Sequence, residues 1–250
     1  RSSAASDVYK RQMSNRLPVF DVFRNSFRYM LEHYRILSLF CIFSFLGIYM
    51  LGGFNLADNL LGGAFYLLYT YLFYFIFVRV YFNRQKLFSK PEFINALVRI
   101  ITISLLAFAS LMLLETAVLF FLWLLNPLEI YPHIREMWTN FIASNTFRYA
   151  LYGGMFLFLT VIFYIPALAW VSAVIGRNAS ITLTFFHTKD NYLRIFLICF
   201  IVYGLLPFVI FMLSANSWLL RAVFTAIFTV VQCVIYLHIY EFFYKARKHK

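Results

Sequence analysis

Three times along the chain a short basic and aromatic stretch ends in an arginine that opens a long apolar run: EHYRILSLF at Arg35, NALVRIITI at Arg99 and NYLRIFLICF at Arg194. About 20 consecutive apolar residues is the length a helix needs to cross a bilayer. A second apolar run follows each opening, so the repeated unit is a surface segment, a span out and a span back. Backbone N–H and C=O groups in hydrocarbon must be paired inside the protein, and a helix pairs them within one segment. The sequence therefore predicts an all-α fold. It reads as a six-span helical integral membrane protein, three hairpins with amphipathic lead-in helices on the cytoplasmic side.

Composition removes the soluble alternatives. The chain is 63% apolar and 13% charged, with a mean hydropathy of +0.77; soluble domains run nearer ~45–50% apolar with ~25% charged residues. The predicted spans are 36–53, 60–82, 98–125, 150–175, 192–213 and 218–244. Residues 36–244 then form one transmembrane domain, behind an amphipathic interfacial helix at 13–35 and ahead of a basic tail at 245–250. Arg1–Gln12, RSSAASDVYKRQ, read as the in-frame translation of a transposase sequencing adapter, which makes Met13 the expected natural start.

Charge sets the orientation. The formal charge is +12, and setting aside Arg1, Lys10 and Arg11 against Asp7 leaves +10. Sixteen of the remaining lysines and arginines cluster at 16–35, 79–99, 177–194 and 245–250, all on one side of the predicted topology. The other side holds Arg135, Arg148 and Arg221. Basic residues stay on the cytoplasmic face, so both termini are expected there. Their position at span ends points to anionic lipid headgroups, with no nucleic-acid partner. A membrane-protein partner or a second copy of the chain is compatible with the same pattern.

The first lead-in has a helical period. Phe20, Phe23, Phe27, Met30, Leu31 and Tyr34 recur at three- and four-residue steps, and Asp21, Arg24, Arg28, Glu32 and Arg35 fall elsewhere. Such a helix lies in the headgroup plane. Arg24, Arg28 and Arg35, with Arg99, Lys189 and Arg194 of the later lead-ins, are the candidate headgroup contacts. Ser89, Pro91 and Glu92 give the second lead-in a helix start. Asn126–Tyr149 is the one sizeable outer loop, with Tyr131 and Trp138 at interface depth.

Polar residues within the spans are few. Glu115 is the carboxylate deepest in a predicted span, and burying it costs about 2–3 kcal/mol or more unless it is protonated, paired or wetted. Arg221 is its expected partner. An ion-coupling or substrate-binding acid is the sharper reading, and a structural pair the plainer one. Tyr66, Thr70 and Tyr74 share a stripe of span two, with Gln232 a candidate neighbour in span six. They suit either a polar groove or hydrogen bonds between helices. Pro166 and Pro207 are expected to kink spans four and five. Cys41, Cys199 and Cys233 lie in apolar runs, and no nucleophile, metal or phosphate-loop motif occurs, so neither an enzyme activity nor a cofactor is expected.

The tract AVIGRNASITLTFFHTKDNYLRIFLICF resembles the conserved cytoplasmic segment of YciC-like bacterial inner-membrane proteins. Ile181, Thr188, Asn191, Arg194 and Ile195 match its pattern, and Asp190 departs from a common glycine. FDVFRNSFRYMLEHYRILSLF and YLHIYEFFYKARK resemble the family's opening helix and basic close. The resemblance implies a multi-pass protein of the bacterial cytoplasmic membrane. A related membrane domain is fused to glycerophosphodiester phosphodiesterases, but the resemblance brings no catalytic residues with it. The expected role is non-enzymatic, in envelope maintenance or assembly through lipid or partner binding. The alternative is a small transporter or lipid-handling carrier with a cavity near Glu115.

Overall fold

A computed structural model of the chain describes residues 16–53, 60–125, 154, 158, 160–177, 180–213 and 217–245. The expected outer loop and the beginning of the fourth expected span lie outside those residues. Every regular element described is helical. In chain order these are α1 (Val19–Glu32), α2 (Tyr34–Gly53), α3 (Leu60–Tyr81), α4 (Lys90–Leu125), α5 (Ile165–Val174), α6 (Ile181–Thr188), α7 (Tyr192–Cys199), α8 (Leu206–Leu213) and α9 (Trp218–Lys245). Among the described residues, four helical stretches are long and apolar enough to cross a membrane: Gly62–Tyr81, Lys90–Ala117, Ile181–Ile210 and Trp218–Tyr244. The bent pair α1 and α2 makes a fifth if taken as one span.

His33 turns the chain by 94° between α1 and α2. Its N–H closes α1 on Tyr29 O at 3.0 Å, while its own carbonyl accepts from Ile36 and Leu37, each at 3.1 Å. One residue thus ends one helix and starts the next with both of its own backbone groups paired. The apolar residues of α1 do not form the single face that their period suggests. Val22 and Ser26 are buried, with Phe23, Tyr29 and Met30 packed beside them, whereas Phe20, Phe27 and Leu31 point outward. Arg24 and Arg28 are exposed on that same outward side, Arg24 four residues after Phe20 and Arg28 three before Leu31.

The second lead-in differs from expectation. Ser89 does sit at the start, its carbonyl accepting from Phe93 N–H at 2.9 Å. But α4 then runs unbroken from Lys90 through Arg99 to Leu125, because its one proline, Pro91, sits in the first turn, where the missing N–H has no intrahelical acceptor to lose. The third lead-in is a separate helix. Ser180 caps α6, its Oγ accepting from Leu183 N–H at 3.0 Å, and a short 3-10 turn at Lys189–Asn191 joins it to α7.

Two helix ends are closed in the same way. At the end of α3, Asn83 takes a left-handed φ of 49°, with Asn83 N–H on Val80 O at 3.0 Å and Arg84 N–H on Arg79 O at 2.9 Å. At the end of α5, Gly176 has φ 72°, with Gly176 N–H on Ala173 O at 3.0 Å and Arg177 N–H on Ser172 O at 2.8 Å. These are Schellman motifs, and Asn and Gly are the residues that tolerate that conformation.

All ten residues of α5 are buried, and α4, α6 and α3 pack round it. A helix apolar on every side belongs inside a bundle. α9 packs along α2 and also meets α1, α3, α5 and α8. The prolines act differently from simple kinks. A π-turn, Thr160–Tyr164, precedes Pro166, and a second, Phe200–Leu205, precedes Pro207. The wider i→i−5 register takes up the missing donor by local rewinding.

The amino-terminal strand of chain is fixed by its peptide groups. Leu17 is wholly buried, its N–H donates to Asn191 Oδ1 at 2.7 Å, and its carbonyl accepts from Arg194 Nη1 at 2.8 Å. Asn191→Ala leaves a buried N–H unpaired, at a cost of about 1–3 kcal/mol. The expected result is a lower unfolding midpoint with faster amide exchange at residues 17–23, while Asn191→Asp, which keeps the acceptor, loses less.

Candidate functional site

Two polar regions stand at opposite ends of the described bundle. The first is a groove among α2, α3, α8 and α9. One cavity, of about 90 Å³, is lined by Ser44 and Gly47 of α2, by Tyr66, Tyr69, Thr70 and Tyr74 of α3, and by Thr225 and Thr229 of α9. The other, of about 170 Å³, is lined by Pro207 and Ile210 of α8 and by Arg221, Thr225, Phe228, Thr229 and Gln232 of α9. Thr225 and Thr229 belong to both, so the cavities adjoin across one ridge of α9.

Helical spacing produces this ridge. Arg221, Thr225, Thr229 and Gln232 stand at steps of four, four and three on one face of α9. Tyr66, Thr70 and Tyr74 make the matching stripe on α3. The threonine hydroxyl need not claim a partner across the groove, since Thr229 Oγ1 donates to Thr225 O at 2.9 Å. Gln232 is more constrained. Leu206 N–H reaches Ile201 O, so in the same register Pro207 faces Val202 O with no proton to give. Gln232 Nε2 supplies the donor, at 2.9 Å from Val202 O. One turn further on, Tyr236 Oη donates to Tyr164 O beside the other π-turn at 2.6 Å, and Tyr164 stacks on Tyr203 at 4.5 Å.

Of the residues proposed for an intramembrane polar site, Tyr66, Thr70, Tyr74, Arg221 and Gln232 line these cavities. Glu115 does not. It is exposed on α4, lines neither cavity and forms no ion pair with Arg221 among the described residues. Sequence reasoning missed Ser44, Tyr69, Thr225 and Thr229. The threonines carried a usable signal, since they fall on the Arg221–Gln232 face.

The second region gathers the basic segments. Arg79 is 4% exposed on α3, and its charge is spread over three acceptors. Its Nε donates to Lys86 O at 2.7 Å, its Nη1 donates to Val174 O at 2.8 Å, and Glu92 Oε2 lies 3.7 Å from Nη1. Tyr240, 1% exposed, shares a hydrogen bond of 2.9 Å with Ser172 Oγ. Tyr81 Oη donates to Glu241 Oε2 at 3.3 Å and lies 3.2 Å from His238 Nδ1. Tyr29 of α1 packs against Tyr81 with centroids 4.6 Å apart and stacks on His33 at 4.1 Å. Burial, with the Glu241 charge second, pushes the Tyr29 hydroxyl up to about 12, so it stays protonated and docks α1 as a neutral aromatic.

The residues proposed as headgroup contacts divide by setting. Arg24, Arg28, Arg35 and Lys189 are exposed. Arg24 pairs with Asp21 at 2.8 Å, Arg35 Nε donates to Tyr34 Oη at 3.1 Å, and Lys189 Nζ lies 4.9 Å from the Phe186 ring. Arg194 is committed to Leu17 O, and Arg99 is half-buried, with its Nη1 unbonded among the described residues. No group of three or more His, Cys, Asp or Glu able to hold a metal occurs among the described residues.

The fold is thus an all-helical bundle whose long apolar helices are compatible with a multi-pass membrane protein. No family model, curated protein or solved structure matches the chain.

Gln232→Leu keeps the side-chain bulk but strips Val202 O of its donor. An unfolding midpoint in detergent lowered by the equivalent of about 1–3 kcal/mol is expected, and an unchanged midpoint would mean that the bond carries no load.

Proposed function

We propose that the chain is a non-enzymatic six-span protein of the bacterial cytoplasmic membrane, with both ends in the cytoplasm. On this reading its basic end holds anionic lipid headgroups, and through them or a membrane partner it serves envelope maintenance or assembly. The observation that carries this is α1: it leaves α2 at 94° and has one docked side and one exposed side that carries aromatic and basic residues together. Val22, Ser26 and Tyr29 grip the bundle, and Phe20, Phe27 and Leu31 reach outward with Arg24 and Arg28 exposed beside them. A helix lying in the headgroup plane presents apolar side chains to the acyl boundary and keeps its basic groups within reach of the headgroups. Each basic residue near an anionic surface adds roughly 1 kcal/mol. The resemblance to YciC-like proteins supports the location in the cytoplasmic membrane and carries no function of its own.

The carrier reading draws on the groove, with a proline and a π-turn on α8's approach to it. It moves from Glu115, which lies outside both cavities, to Arg221. Cavities of about 90 and 170 Å³ suit waters or a small polar group more than a lipid, so the headgroup reading is preferred.

Amide exchange of α1 tests the preference. In nanodiscs containing phosphatidylglycerol, exchange at 19–32 is expected to slow at least about tenfold relative to pure phosphatidylcholine. Reversing Arg24, Arg28 and Lys189 to Glu should remove the difference. Equal exchange in both lipids would refute the headgroup role.

A further inference from the structure

The cavity of about 90 Å³ among α2, α3 and α9 is lined by hydroxyls that the fold itself does not use. Ser38, Thr102 and Thr116 show the usual habit of a hydroxyl on a helix. Each donates back to its own backbone, to Arg35 O at 2.8 Å, Val98 O at 2.9 Å and Met112 O at 2.8 Å. Ser44, Tyr66, Thr70, Tyr74 and Thr225 do not. None of their hydroxyls forms a hydrogen bond among the described residues, and all five residues line the cavity. Ser44 is 7% exposed, so the cavity is the opening its hydroxyl meets. The same helices are apolar on the outside, where Leu46, Leu67, Leu68 and Ile227 are exposed.

Two further hydroxyls in the lining have already given up their protons. Gly47 lets the Tyr69 ring lie against α2, where an added Cβ would collide with it, and Tyr69 Oη donates to Phe43 O. Thr229 Oγ1 donates to Thr225 O at 2.9 Å. These two can only accept, whereas the other five can both donate and accept. The lining holds no Asp, Glu, Lys, Arg or His, so nothing in it selects an ion by charge. Hydroxyls in apolar surroundings take a partner, and water is the first candidate. At ~30 Å³ each there is room for about three waters. A three-carbon polyol puts a hydroxyl where each of those waters would stand, and its C–H groups meet the rings of Phe73 and Tyr74. Displacing bound water loses affinity only where the incoming group fails to repeat its hydrogen bonds.

We infer that Ser44, Tyr66, Thr70, Tyr74 and Thr225 form a binding site for a small neutral polyol of glycerol's size. The site goes beyond the headgroup reading and uses none of the basic residues on which that reading rests, so each can fail without the other.

Saturation-transfer NMR with glycerol, on the full chain in phosphatidylcholine nanodiscs, tests the site. The wild-type protein is expected to give a glycerol signal well above that of empty nanodiscs. Ser44→Ala/Thr70→Val should reduce that signal at least about threefold, as the loss of two neutral hydrogen bonds requires. Its unfolding midpoint should be equal or higher, because neither hydroxyl has a protein partner to lose. Thr102→Val, the same change on α4 outside the cavity, should leave the glycerol signal unaltered. If the double variant fails to fold, Ser44→Ala and Thr70→Val are read singly in the same way. An equal glycerol signal from wild-type and folded variant protein would overturn the inference. A wild-type signal no larger than that of empty nanodiscs would overturn it too, and leave a cavity that holds water only.

Discussion

A backbone carbonyl or N–H in apolar surroundings has to find a partner, and where capping bonds of the backbone do not supply one, side chains of this chain do. Arg79 bonds Val174 O at the end of α5 and Lys86 O in the turn after α3. Tyr71 Oη donates to Phe93 O in the first turns of α4 at 2.8 Å. Gln232 serves Val202 O, and Tyr236 serves Tyr164 O. Asn191 and Arg194 hold the two sides of the Leu17 peptide. Apart from the Arg79–Lys86 bond, which stays at the end of α3, each ties one segment to a helix elsewhere in the chain, so pairing the backbone also assembles the bundle.

The partners are distributed unequally. At the basic end Arg79, Tyr81, Ser172, Tyr240 and Asn191 are buried, and α5 is enclosed on all sides. Rigid packing there fixes where the capped helix ends, the turn arginines and α1 stand. At the other end the hydroxyls of Tyr66, Thr70 and Thr225 line open space. A firm basic end beside a looser polar groove suits a protein that holds headgroups at one surface.

Much of this was legible from residue periodicity. The apolar runs gave α2, α3 and α9, and the three- and four-residue steps of Phe20 to Leu31 gave α1. Periodicity cannot say which neighbour takes which apolar residue, so the division of α1 into docking and outward surfaces appeared only with α9 in place. Arg99 marks no break because an arginine ends no helix. Pro207 was visible, but its consequence depended on Gln232, thirty residues later along the chain. The Leu17 clamp spans more than 170 residues and leaves no local trace. Glu115 looked like a site because it is a charge in an apolar run, yet the face it occupies is set by α4's packing on α5.

The proposed hairpin topology puts all basic segments on one membrane face. In a chain lacking its native cysteines, Ser89, Ser180 and Ser217 can each be replaced singly by cysteine and labelled with a membrane-impermeant maleimide in right-side-out and inverted vesicles. Ser89 and Ser180 should label from the cytoplasmic side and Ser217 from the opposite side. Labelling of Ser89 and Ser180 from opposite faces would contradict the hairpin arrangement and the headgroup role built on it.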